Sequence, residues 1–99
     1  MTKRQQLYYL TEGLFLKRYD VKTFCEEFEA IFYPDIPSEE LTADELKIFE
    51  LLGNIVVRFS PYSDDLENYP GIYKSATDIE NAVNIAYNQL VSIKNHLQE

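Results

Sequence analysis

A chain of 99 residues with 17 acids against 9 bases, a formal net charge of −8, is a poor fit to nucleic acid or an anionic membrane, because both need clustered Lys and Arg. Hydrophobic residues make up 45%, enough for one core in a single domain over 1–99 and too many for a disordered chain. Cys25 alone excludes an intramolecular disulfide, no stretch approaches the ~20 apolar residues of a membrane span, and MTKRQQLYYLTEG lacks a leader's apolar run, so a reducing, cytoplasmic setting is expected.

Leu7, Leu10 and Leu14, flanked by Tyr8 and Phe15, recur at helical steps and predict a first helix from Thr2 to about Lys17. Gly13 inside it costs about 1 kcal/mol against Ala and marks either close packing or a break. Asp20 is a good N-cap for a second helix reaching about Phe32. Its apolar stripe is Val21, Phe24, Cys25, Phe28, Ile31 and Phe32, with Glu26, Glu27 and Glu29 opposite; Cys25 is expected to behave as a small buried hydrophobe. Two prolines in Tyr33-Pro34-Asp35-Ile36-Pro37-Ser38 end that helix in a short, stiff loop.

Thr42-x-x-Glu45 is a capping box, and Leu41 before it can staple against Leu46. The third helix then carries Leu46, Ile48, Phe49, Leu51, Leu52, Ile55, Val56, Val57 and Phe59, apolar on most of its circumference, which predicts a central helix with neighbours on several sides. Gly53 is expected to admit a neighbouring helix. Arg58 either complements the dipole at the helix end or pairs with Asp64 or Asp65. Ser60-Pro61 stops the helix. Ser63 is expected to cap a short one with Asp64 and Asp65 in its first turn, ended by Tyr69-Pro70-Gly71. Ser75 or Thr77 caps the last helix, with Glu80 in reach of a second capping box, and Ile79, Val83, Ala86, Leu90, Ile93 and Leu97 repeat along it. The expected fold is all-α, an up-and-down four-helix bundle with a short extra helix between the third and fourth main helices.

The sequence offers little for catalysis. His96 is the only histidine, placed where a His favours the helix dipole, and one His with one Cys makes no zinc site. The three glycines are isolated, so no phosphate loop or dinucleotide fingerprint exists. Asp64-Asp65-x-Glu67 lacks the loop glycine and distal Glu of a calcium loop. No catalytic residue, metal or cofactor is expected, and the chain is not read as an enzyme. Surface charge is uneven: Glu26, Glu27, Glu29, Asp35, Glu39, Glu40, Asp44, Glu45 and Glu50 run against Lys47 alone. These acids fit a solvated face, and they also fit a surface aimed at a basic partner. Tyr62 and Tyr69 flank the acids of the 62–69 turn; Tyr62 and Tyr73 are expected to be structural, and Asp64, Asp65 and Glu67 exposed.

The run LTADELKIFELLGNIVVRFSPYSDDLENYPGIY resembles the immunity proteins of the colicin D immunity-like group, which includes immunity proteins of contact-dependent growth inhibition. The shared features are the capped helix Leu41–Phe59, the break Arg58-Phe59-Ser60-Pro61-Tyr62, Asp64-Asp65-Leu66, and Tyr69-Pro70-x-x-Tyr73, about a third of the chain; Lys74-Ser75 departs from the charged pair expected next. The resemblance implies a partner that is a cognate toxin nuclease domain, often one cutting transfer RNA. A monomer or one-to-one complex would fill its basic cleft with carboxylates, without chemistry. The toxin-binding candidates are Tyr62, Asp64, Asp65, Glu67 and Tyr69 in the turn, and Asp35, Glu39 and Glu40 in the loop after the second helix. The alternative is a helical adaptor or regulatory module for another protein.

Overall fold

A computed structural model describes residues 2–33, 35, 38–69 and 71–98, leaving aside the side chains of 94–98. Expectations for Pro34, Ile36, Pro37, Pro70, His96 and Leu97 fall outside the described residues. The described chain is all helical: α1 (Lys3–Phe15), α2 (Val21–Phe32), α3 (Ala43–Val56), the short α4 (Ser63–Asn68) and α5 (Ala76–Gln98). Among the described residues no strand forms; Phe59 and Lys74 pair in an isolated bridge.

Each long helix starts where a side chain takes up orphan N–H groups. The Thr2 hydroxyl accepts from Gln5 N–H and the Gln5 side chain returns the bond, a capping box the sequence reading missed. Asp20 caps α2 through Thr23 N–H, and the Thr42–Glu45 box opens α3 as expected. At α5 the structure chooses Ser75 over Thr77: Ser75 and Asp78 exchange bonds of 3.2 and 3.0 Å, and the Thr77–Glu80 box does not form. At its other end α1 closes with Arg18 N–H on the Gly13 carbonyl and Lys17 N–H on that of Leu14, which holds Lys17 in the left-handed region at φ 59°.

α1 and α3 each pack on α2 and α5, so the core lies between two helices that every other long helix touches. Phe24, Phe28 and Phe32 from α2, Phe49 from α3, Leu7 from α1, and Ile79, Val83 and Leu90 from α5 are fully buried or nearly so. Phe28 stands at the middle, with ring centroids of Phe24, Phe32 and Phe49 at 5.7, 5.3 and 6.4 Å. Cys25 is buried as expected; burial, with Glu29 and Glu26 beside it, pushes its thiol up to about 12, so it stays an inert thiol at neutral pH.

The third helix departs from its expected central role. It ends at Val56, burying Phe49, Leu52, Gly53 and Val56 on one side, while Leu51 and Val57 are exposed. Seven of the nine apolar residues fall within it, still more than its two neighbours cover. Gly53 faces the end of the neighbouring α2: the hydroxyl of its C-cap Tyr33 lies where a Cβ would go, with Phe28 behind it. Gly13 is filled likewise by Tyr19, whose ring atoms would lie 2.5–2.8 Å from a Cβ and whose hydroxyl donates to the Leu10 carbonyl. The two glycines should therefore answer differently to alanine. Gly13→Ala displaces an anchored ring and is expected to cost about 1–3 kcal/mol. Gly53→Ala meets only the free end of the exposed Tyr33 and gains helix propensity, so it should fall within about 1 kcal/mol of wild type. Urea midpoints of the two variants check both values.

Candidate protein-binding surface

Between α3 and α5 the chain makes an excursion closed at its base. Lys74 N–H donates to the Arg58 carbonyl at 2.8 Å and Ser60 N–H to the Lys74 carbonyl at 3.0 Å, so the segment leaves and returns at nearly the same point, as an Ω-loop does. Ser60, buried, organises the start: its hydroxyl donates to Asp65 Oδ2 at 2.7 Å and accepts from Tyr62 N–H at 3.2 Å. That fixes α4, whose N-cap is Tyr62, not the expected Ser63, and which buries no residue of its own. The excursion turns back at Tyr69–Ile72, where Ile72 N–H bonds the Tyr69 carbonyl at 3.1 Å and Gly71 takes φ 92°, a value that favours glycine.

The excursion holds few apolar residues inward and presents many outward. Tyr62 is 69% exposed, against its expected structural role, because Ser60 and not the phenol fills the corner beneath it. Tyr69, Ile72 and Tyr73 are exposed too, with the Tyr69 and Tyr73 rings edge to face at 6.0 Å. Asp64 and Glu67 are exposed as expected, but Asp65 is half-buried and held by Ser60, which makes it a positioning group. Arg58 pairs with neither Asp64 nor Asp65; among the described residues the one ion pair is Arg4–Glu45.

Asp35, Glu39 and Glu40 are exposed but lie at the opposite end of α3 from this excursion, about 20 Å away along the helix. The Asp35 carbonyl accepts from Lys3 Nζ at 2.9 Å, which ties that loop to the start of α1. The structure thus separates the two groups of candidates. It brings a different pair of acids to the excursion: Glu26 and Glu29 of α2 line a crevice of about 190 Å³ together with one base, Lys22, and with Phe59 and Pro61. Both were readable as the polar side of α2, but their nearness to Pro61 depends on how α2 packs on α3.

Glu45 is the carboxylate most strongly held. It is fully buried and accepts from Arg4 Nε at 3.1 Å, Arg4 Nη2 at 2.8 Å, the Tyr8 hydroxyl and Thr42 N–H. Burial alone would push its carboxyl up; the bonds from Arg4, Thr42 and Tyr8 outweigh burial and hold it below the ordinary value. Arg4 also lies 5.0 Å over the Tyr8 ring, and Tyr8 meets Phe49 edge to face. With the Glu45 acceptor positions engaged, this cluster ties α1 to α3.

Among the described residues no three His, Cys, Asp or Glu side chains group closely enough to hold a metal ion, and no helix is long and apolar enough to cross a membrane. Comparison of the chain with protein-family models, characterised proteins and solved structures returns no match.

Proposed function

We propose that this chain is an immunity protein, which binds a cognate toxin nuclease and covers its basic cleft with an acidic surface. The observation that carries the reading is the placement of Glu26 and Glu29 beside an anchored excursion bearing Asp64 and Glu67 among exposed tyrosines, on a protein of net charge −8. A cleft that grips phosphates is lined with Lys and Arg, and carboxylates at fixed positions occupy it without reaction. Charge complementarity speeds encounter towards about 10⁸–10⁹ M⁻¹s⁻¹ at low salt, and tyrosines supply rigid contact area once docked. In this reading the four long helices form an up-and-down bundle that holds α4 outward, the complex is one-to-one, and it forms in the cytoplasm.

Charge reversal at Asp64 and Glu67 together tests the reading, since neither side chain supports the loop. Asp64→Lys with Glu67→Lys should weaken binding to a cognate toxin nuclease domain at least about tenfold and abolish protection when the two are co-expressed, with helicity unchanged. Unchanged affinity would remove the excursion from the interface. The exposed Tyr62, Tyr69, Ile72 and Tyr73 favour one second reading, an adaptor that docks through aromatics; its binding would be nearly independent of salt.

A further inference from the structure

Away from the acidic surface, α3 and α5 enclose a groove that none of the described residues covers. Its walls are Ile48, Leu51 and Ile55 on α3 and Ala82, Ile85 and Gln89 on α5, and two adjoining hollows along it measure about 150 and 530 Å³. Leu51 is 57% and Ile85 61% exposed. On α3 the stripe 48, 51, 55 and on α5 the stripe 82, 85, 89 follow the three-and-four spacing with which helices pack against further helices. Two aliphatic side chains standing out from neighbouring helices form a patch, where scattered singly they would need no explanation.

We propose that this α3/α5 face is the contact surface of a homodimer. Charge decides between occupants. The whole molecule carries −8, so two copies repel wherever their acid-rich surfaces meet. The groove is the exception: among the described residues its charged lining is one acid, Asp44, and one base, Lys47, and its remaining polar lining is the neutral Asn88, Gln89 and Ser92. A basic partner gains nothing there, whereas an identical copy finds a neutral, apolar surface that matches itself about a two-fold axis. Two helices exposed side by side over about 20 Å offer on the order of 500 Å² per copy, near the ~1,000 Å² total at which specific association begins, so the dimer is a concentration-dependent one. The acids of α2 and α4 stay outside the contact, and each copy keeps its own partner surface.

Sedimentation equilibrium of the purified protein tests this without any partner, so its outcome is independent of the toxin reading. The wild type should move from 11.6 kDa towards twice that mass as concentration rises to about 100 μM. Because the opposing force is like-charge repulsion, raising NaCl from about 0.05 to about 0.5 M should tighten the dimer at least about threefold, the reverse of its effect on an acid-to-base complex. Leu51→Lys with Ile85→Lys should stay monomeric with unchanged circular dichroism, although the substitutions lower the net repulsion. Leu16→Lys, at an exposed leucine outside the groove, should dimerise like wild type. A wild type that remains monomeric at high salt, a dimer that survives the double substitution, or equal loss in Leu16→Lys each overturns the proposal.

Discussion

Phe49→Ala is expected to lower stability by about 3–5 kcal/mol, a large share of the ~5–15 kcal/mol that holds a small domain folded. The ring is 0% exposed and is the only contribution of α3 to the aromatic cluster around Phe28. It also abuts Tyr8, so its loss leaves a cavity and frees the phenol that helps hold Glu45. The neighbours are rings fixed on α2, which cannot slide in to fill the gap, and this puts the cost towards the top of the range. Guanidinium unfolding gives the value directly; a loss under 1 kcal/mol would mean that the site collapses freely.

Glu45→Ala should cost about 3 kcal/mol, since it strips the acceptor from two side chains and removes half of the box that starts α3. Arg4 is half-exposed and recovers water, so the Tyr8 hydroxyl and the cap account for most of the loss. Glu45→Gln keeps the shape and one acceptor, and should cost about 1–2 kcal/mol. The pair of variants also separates charge from geometry through pH. The Glu45 carboxyl is held below its ordinary value of 4.5 in the folded protein, so the unfolded chain takes up that proton first as pH falls. The stabilisation is present in full above about pH 5 and is lost as pH falls through the folded value. Asp20 and Asp78 are lowered by their bonds to Thr23 and Ser75 and add to the same acid sensitivity. Wild type should therefore lose more stability between about pH 5 and about pH 3 than Glu45→Gln does. Parallel slopes for the two proteins would show that the charge is not what holds α1 to α3.

Local rules located the caps of α2 and α3, whose partners are close in the chain, but not the equally local Thr2–Gln5 box of α1. Asp20 and Thr23, or Thr42 and Glu45, are neighbours within one turn, so their caps were legible before any fold was known. Ser75 and Thr77 were both candidate caps for the last helix, and only Glu80 was read as a box partner. The choice depended on Lys74, whose bonds to Arg58 and Ser60 place Ser75 at the point where the chain turns into α5. The second role of Glu45 was hidden because Arg4 and Tyr8 lie far back in the sequence; their spacing on one face of α1 was the available signal. The apolar excess of α3 was visible, but its meaning was not. A period tells how many sides of a helix are greasy and says nothing about whether this chain supplies enough neighbours to cover them. For the candidate surface, residue type separated Asp64 and Glu67 from the core correctly, and failed at Tyr62 and Asp65, where one buried serine hydroxyl sets the corner.

The two backbone bonds that join Ser60 and Arg58 to Lys74 also bear on how such a protein diversifies. They act as a clasp: the bundle senses only the clasped ends, while α4, which buries none of its residues, adds little to the energy of folding. Doubling the length of the clasped segment would cost only about 0.6 kcal/mol in closure entropy. New recognition elements can therefore be spliced in or swapped there while the helices beneath keep their sequence, much as an interchangeable tip is fitted to an unchanging handle.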